Sequence, residues 1–147
     1  MSVARAAAAA TPGYSGKPLW SKLGLKSDLR VWLHGAPHDY WRLTGFDAGT
    51  LSVVAPRASF DFGHAFVTTR ASLTRVLAAA SRQLAPDGML WISWPKKSAG
   101  VTTELTEDTL RELALPLGLV DVKVCAVTFV WSGLKLVWRR ERRAAKK

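Results

Sequence analysis

The chain has 147 residues, about the length of one domain, and 48% of them are hydrophobic, which excludes a disordered protein. A single cysteine excludes an internal disulfide. No apolar run reaches the roughly 20 residues of a membrane span. We therefore expect a globular cytoplasmic protein with no membrane partner.

The formal net charge of +10 is concentrated near the two ends of the sequence. Residues 1–27 contribute +4, residues 139–147 contribute +5, and the residues between them contribute only +1. We predict a disordered alanine-rich tail over residues 1–13, one domain over residues 14–140, and a basic tail over residues 141–147. Basic tails either contact nucleic acid weakly and non-specifically through its phosphates or only increase solubility, and both interpretations stay open.

The first part of the predicted domain alternates between short helices and strands. Leu19, Trp20 and Leu23 share one face of a short helix, and Gly24 is a typical helix C-cap. Runs rich in β-branched and aromatic residues then follow, separated by glycine or proline. The predicted elements are a helix over residues 17–23, a strand over 29–34, a helix over 38–43, and strands over 51–54 and 60–68.

The clearest helix is predicted over residues 71–84, where five apolar side chains recur at helical spacing. Pro86, Asp87 and Gly88 predict a turn. The nearly all-apolar residues 89–94 then predict a strand that is buried on both faces, which is typical of the centre of a parallel sheet.

The last elements reverse the direction of the chain. Thr106 is a favourable N-cap for a helix that ends before Pro116. Strands over residues 120–129 and 134–138, joined by a loop around residues 131–133, are too close in sequence to be parallel. We predict a single three-layer, Rossmann-like α/β domain with a mostly parallel sheet and a C-terminal antiparallel hairpin, an ending that resembles class I methyltransferases.

Ligands of such sheets bind beyond the carboxyl ends of the strands, so polar residues at these ends are candidate contacts. Two ammonium groups that follow a buried strand can hold a phosphate or a carboxylate, although a solvated turn is the alternative. We predict a small anionic ligand at this rim, bound by residues from three strand ends: Lys96, Lys97, Ser98, Thr68, Thr69 and His34.

The turn after the first strand is poorly suited to a nucleotide cofactor. Residues 34–38 hold one glycine and a proline that lacks an N–H donor, where S-adenosylmethionine and NAD sites need a glycine-rich turn. The acid that would hold ribose hydroxyls is also missing from residues 53–57. We therefore predict no cofactor bound in the familiar manner.

Other chemistry is weakly indicated. His34 and His38 have the i, i+4 spacing that would place them on one face of a helix, but Pro37 lies between them at the expected helix start. We therefore predict no metal site. Cys125 alternates with apolar residues and is interpreted as a packed thiol rather than a nucleophile. No catalytic constellation emerges, so the catalytic residues are unknown and a non-catalytic role is preferred.

Four stretches of the sequence resemble a family of small bacterial proteins, the domain-of-unknown-function family numbered thirty fifty-two. These stretches are Gly13–Leu19, Leu90–Lys97, Leu115–Val127 and Trp131–Lys135. The resemblance covers about residues 13–140. It implies a cytoplasmic Rossmann-like domain, similar in outline to methyltransferases, and brings no activity, substrate or catalytic residues.

Three functions are compatible with these observations. The first is a non-catalytic binding or interaction module with an anion-binding rim. The second is a divergent S-adenosylmethionine-dependent methyltransferase. The third is a nucleic-acid-associated protein that acts through its basic tails.

Overall fold

The computed structural model describes residues 17–47, 49 and 51–146. The predicted N-terminal tail, residues 1–13, lies outside the described residues, as do residues 14–16 of the predicted domain. The strands of the described part are β1 Arg30–His34, β2 Ser52–Val53, β3 Phe60–Phe66, β4 Leu84–Pro95, β5 Leu119–Ala126 and β6 Trp131–Trp138. The helices are α1 Leu19–Leu23, α2 Tyr40–Thr44, α3 Arg70–Gln83, α4 Glu107–Ala114 and α5 Arg140–Lys146, with 3-10 turns at Lys97–Ala99 and Leu115–Leu117.

The six strands form one sheet in the order β2-β1-β3-β4-β6-β5. Strands β2, β1, β3 and β4 are parallel, and β6 is antiparallel to both β4 and β5. The predicted Rossmann-like sheet, mostly parallel with a closing antiparallel hairpin, is thus confirmed.

Helices cover both faces of the sheet, which gives the predicted three layers. On one face, Leu19 and Leu23 of α1 pack with Phe62 and Trp91 of the sheet. The Trp91 indole Nε1 also donates to the Leu23 carbonyl oxygen over 2.8 Å, which fixes α1 to β4. On the other face, α3 and α4 bury a larger cluster that includes Leu77.

The hairpin loop differs from the prediction. The loop occupies residues 127–130, and Trp131, Ser132 and Gly133 lie within β6. The Thr128 hydroxyl closes this loop by accepting backbone N–H groups from Val130 and Trp131, each over 3.1 Å. The prediction of a loop at 131–133 was wrong because these residues pair with β4 as well as with β5.

The predicted turn at residues 86–88 is a bulge inside β4. Phe60 pairs with Leu84 and Phe62 pairs with Met89, so residues 85–88 of β4 lie opposite Asp61 alone. A β-carbon at Gly88 would lie 2.9 Å from the Asp61 carbonyl oxygen, so the close approach of the two strands requires glycine there.

The sheet is short beyond β1. In the doubly wound fold, two full strands lie beyond the first strand at this edge. In the described part of this chain, only β2 lies there, and it has two residues. As a consequence, the flank of α3 that faces β1 and β2 has no helix packed beside it within the described residues. Among those residues, no helix combines the length and apolarity needed to cross a membrane.

The Thr69 hydroxyl caps α3 by accepting the backbone N–H of Ser72 over 3.1 Å. We expect Thr69→Ala to lower the free energy of unfolding by about 1 kcal/mol, because an N–H at the helix start loses its partner. Urea denaturation measures this loss. Thr69→Ser should restore stability, and Thr68→Ala, one residue earlier, should cost less than Thr69→Ala. An equal loss in the two alanine variants would contradict the capping role.

Candidate ligand-binding site

The six predicted rim residues follow the carboxyl ends of β1, β3 and β4, which meet at one edge of the sheet because the strands are parallel. Two of them have structural roles there. The Thr69 hydroxyl caps α3, and the Thr68 carbonyl oxygen accepts the Thr103 hydroxyl over 2.7 Å. This carbonyl oxygen therefore holds the segment that leads into α4 rather than facing a ligand.

The lysine pair lies in a short turn at the same edge. The Lys96 backbone N–H donates to the Val130 carbonyl oxygen over 2.7 Å, and Lys97 and Ser98 begin a 3-10 turn that Gly100 closes. Lys97 and Ser98 are exposed. Across the described residues, no hydrogen bond joins this turn to Thr68 or His34. An anion site at the lysine pair stays a prediction.

His34, in contrast, lines a cavity of about 630 Å³ on the open flank of α3. We call this cavity the α3 groove. One wall is α3, the other is the segment over residues 54–59 that follows β2, and β1 forms the floor. Its lining residues are Trp32, His34, Pro56, Arg57, Ser72, Arg75, Val76, Ala79, Arg82 and Gln83.

Three exposed arginines surround the α3 groove, and its lining contains no acidic residue. Among the described residues, no carboxylate lies within ion-pair distance of Arg57, Arg75 or Arg82. The groove is therefore a region of uncompensated positive charge.

Three other arginines of the domain, Arg30, Arg70 and Arg111, are neutralised by carboxylates. Arg30 pairs with Asp61 over 2.9 Å, and its guanidinium holds the pKa of that carboxyl below its usual value. Arg70 pairs with Glu112, and Arg111 contacts three carboxylates. The three arginines of the α3 groove differ from these in having no carboxylate partner among the described residues.

The wall that carries Arg57 is fixed by hydrogen bonds. The Gln83 amide nitrogen donates to the carbonyl oxygens of Pro56 and Ala58 over 2.6 and 2.7 Å. The Trp32 indole N–H donates to the same Pro56 oxygen over 3.1 Å. These bonds hold the segment between the end of α3 and the floor of the groove, so the position of Arg57 relative to α3 is set in advance.

The sequence analysis missed the arginines of this groove. Ser72, Arg75, Ala79 and Arg82 recur at helical spacing beside the apolar stripe of α3, a signal that was present in the sequence. Arg57 gives no such signal, because it reaches the groove only through the fold of the segment after β2.

The turn after β1 has a packing role. Gly35 has φ +65°, and a β-carbon there would lie 2.8 Å from the Phe66 carbonyl oxygen. Glycine is thus required for the exit of β1 to pass the end of β3. The next helix, α2, has only five residues, and the Pro37 carbonyl oxygen accepts the Tyr40 N–H over 3.0 Å.

A buried chain of polar side chains lies under this edge of the sheet. The Tyr40 hydroxyl and His64 Nδ1 are 2.8 Å apart, and His64 Nε2 and the Ser93 hydroxyl are also 2.8 Å apart. All three residues are buried. Burial lowers the pKa of His64 to about 3 and raises the pKa of Tyr40, so both stay neutral near pH 7. This chain cross-links α2, β3 and β4 and has no exposure to substrate.

Two other kinds of site considered from the sequence are a reactive cysteine and a metal site. Cys125 is a free, partly buried thiol, and burial raises its pKa, which disfavours the reactive thiolate. Within the described part of the chain, no three side chains of His, Cys, Asp or Glu converge as metal ligands would.

Residues 141–147, assigned to a basic tail by the sequence analysis, are helical as far as Lys146. The Arg142 guanidinium lies 5.7 Å from the Trp138 ring centroid and donates to the Leu117 carbonyl oxygen over 3.2 Å. Arg143 donates to the Trp138 carbonyl oxygen over 3.1 Å. These two arginines therefore contact the domain, and nucleic-acid binding by the tails stays a prediction.

His64 makes the stability of the domain depend on pH. Its pKa in the folded state lies below the ordinary value of 6.5, so the unfolded chain binds a proton that the folded chain rejects. Between pH 6.5 and about 3, we expect the His64 contribution to stability to fall by about 1.4 kcal/mol per pH unit. Urea denaturation of the wild type and His64→Gln at several pH values measures it. The stability difference between the two proteins should change with pH below 6.5; a constant difference would contradict the assignment.

No protein-family model matches this sequence, and no curated protein is significantly similar to it. Solved structures do share its fold. The ribosomal protein L11 methylase of Lactobacillus delbrueckii subsp. bulgaricus superposes with a TM-score of 0.56 and 11% identity, over 82% of this chain and 74% of that chain. A Methanococcus jannaschii fibrillarin pre-rRNA processing protein gives 0.54 and 15%, over 92% and 74%. A putative type 11 methyltransferase from Sulfolobus solfataricus gives 0.52 and 16%, over 75% and 83%. The fold is thus the Rossmann-like α/β sheet of class I methyltransferases.

Proposed function

We propose that this chain is a non-catalytic binding module that holds a small anionic ligand in the α3 groove. The observation that carries the proposal is the set of three arginines, Arg57, Arg75 and Arg82, around one cavity whose described lining residues include no carboxylate. An anion in the groove would neutralise charges that no described side chain neutralises.

Arginine suits this role because its planar fork of donors matches the oxygens of a phosphate or a carboxylate, and because it stays charged at all ordinary pH values. A volume of about 630 Å³ lies within the range of small-molecule sites. The fixed wall that carries Arg57 also reduces the entropy lost on binding, since less of the site must be ordered.

The proposal moves the expected ligand from the rim to the flank of α3 and keeps one predicted contact, His34, in the site. The pair Lys96 and Lys97 is the competing location for the same ligand chemistry. Each location has two cationic side chains that can be replaced by neutral ones. The two double variants are therefore matched controls for each other.

The test compares two double variants that remove equal charge. Inorganic pyrophosphate is titrated calorimetrically into the wild type, Arg75→Gln with Arg82→Gln, and Lys96→Gln with Lys97→Gln. We expect the arginine variant to bind at least about tenfold more weakly, because two charge-assisted contacts are lost, and the lysine variant to bind like the wild type.

Two outcomes would contradict this expectation. Loss of binding in the lysine variant alone would place the site at the rim. Absence of pyrophosphate binding to the wild type at low ionic strength would remove the support for an anion-binding module.

The second candidate function is methyl transfer from S-adenosylmethionine, and the likeness in fold to methyltransferases is the observation that favours it. The turn after β1 argues against it, because Gly35 packs against β3 and Pro37 has no N–H to donate to a ligand. The three arginines also repel the sulfonium cation of this cofactor.

Calorimetry with S-adenosylmethionine and with its demethylated product decides between the two functions. We expect no binding of either compound at micromolar concentrations. Micromolar binding of either compound would instead favour a methyltransferase.

A further inference from the structure

We infer that the ligand of the α3 groove is a nucleoside phosphate, either free or within a nucleic-acid strand; this inference rests on the proposed function. The arginines account for the phosphate. The additional observation is a row of three flat rings, Phe60, Trp32 and His34, of which Trp32 and His34 line the groove.

The rings are nearly parallel. The ring centroids of Phe60 and Trp32 are 5.1 Å apart with an interplanar angle of 10°, and those of Trp32 and His34 are 5.9 Å apart with an angle of 19°. Trp32 and His34 alternate on β1 and therefore point to the same face of the sheet. The row runs from the buried Phe60 ring to the exposed His34 imidazole. Both Trp32 and His34 line the cavity.

A planar base can extend such a row by stacking. Nucleobases stack on aromatic side chains, including histidine, without a need for specific hydrogen bonds. The buried part of the row holds the exposed ring in place, because Trp32 is only 4% exposed and its N–H is bonded to Pro56. A fixed ring loses less entropy on binding than a mobile surface side chain does.

The arginines of α3 are spread along the groove from the ring end. Helix α3 begins after the carboxyl end of β3, so Ser72 lies near the His34 end of the groove and Arg82 lies near the opposite end. Ser72 and Arg82 are ten residues apart, about 15 Å along the helix axis. Arg75 lies between them. A single inorganic anion spans only part of this length. A base stacked on His34 would direct its sugar and phosphate toward Arg75, about 4.5 Å along the helix axis from Ser72, and Arg82 would remain for a further phosphate or nucleotide.

The groove also continues past Arg82. A second cavity of about 280 Å³ shares Arg82 and Gln83 with the first and adds Arg30 and Ser59 at the amino edge of the sheet. Additional phosphates, or the next nucleotide of a strand, have room there. The two sources of the ligand therefore differ in how much of this continuation they occupy.

The experiment measures what the base adds to the phosphate. Ribose 5-phosphate and adenosine 5′-monophosphate are titrated into the wild type, His34→Ala and His34→Phe. His34 is exposed at the end of β1, so neither substitution disturbs the core. We expect adenosine 5′-monophosphate to bind the wild type at least about tenfold more tightly than ribose 5-phosphate does. His34→Ala should remove most of this preference, and His34→Phe should retain the preference because it keeps a flat ring.

The outcomes separate the inference from the proposed function. Equal binding of the two compounds to the wild type, with both weakened in the Arg75→Gln, Arg82→Gln variant, would overturn the nucleoside assignment and leave the anion site intact. Binding of neither compound would overturn both. A preference that survives in His34→Ala would overturn the stacking role of His34. Tighter binding of a short oligoadenylate than of the mononucleotide supports a strand as the source, and equal binding supports a free nucleotide.

Discussion

The open flank of the sheet is the constraint on which the rest of the site depends. An α/β sheet buries its apolar faces under helices. Here α3 covers β3 and β4, and no helix of the described residues lies beside it over β1. The segment after β2 shields Trp32 instead, and the Gln83 amide ties that segment to the end of α3. Because the sheet has only the short strand β2 beyond β1, the segment after β2 covers the core at this edge and leaves the α3 groove open to solvent.

The net charge of the domain does not show where its charged side chains lie in the fold. Residues 28–138 carry a net charge of about +1, which suggests a neutral body between basic ends. In the structure, carboxylates pair with Arg30, Arg70 and Arg111, whereas Arg57, Arg75 and Arg82 line one cavity and have no carboxylate partner among the described residues. No local pattern predicts that Arg57 lies opposite α3, because the contact depends on how the segment after β2 folds back.

The sequence predicts the elements that local chemistry determines and misses those that tertiary pairing determines. Helix α3 is predicted to within one residue because its apolar spacing is a local signal. The fold class follows in the same way, from alternating strands and helices and a closing hairpin. Residues 131–133 and 86–88 carry turn chemistry, yet both lie within strands. Residues 131–133 pair with β4, and residues 86–88 form a bulge of β4 opposite Asp61. The predicted contacts at the rim divide similarly, since only His34 lines the α3 groove.

The central claim, that this groove is the ligand site, is tested most directly by amide chemical shifts. Pyrophosphate or adenosine 5′-monophosphate is added to isotopically labelled protein, and the shifted amides are mapped onto the chain. The account predicts that the largest changes fall on residues 72–83 and 55–58 and on His34. Changes confined to residues 35–39 and 96–100, with α3 unaffected, would contradict it.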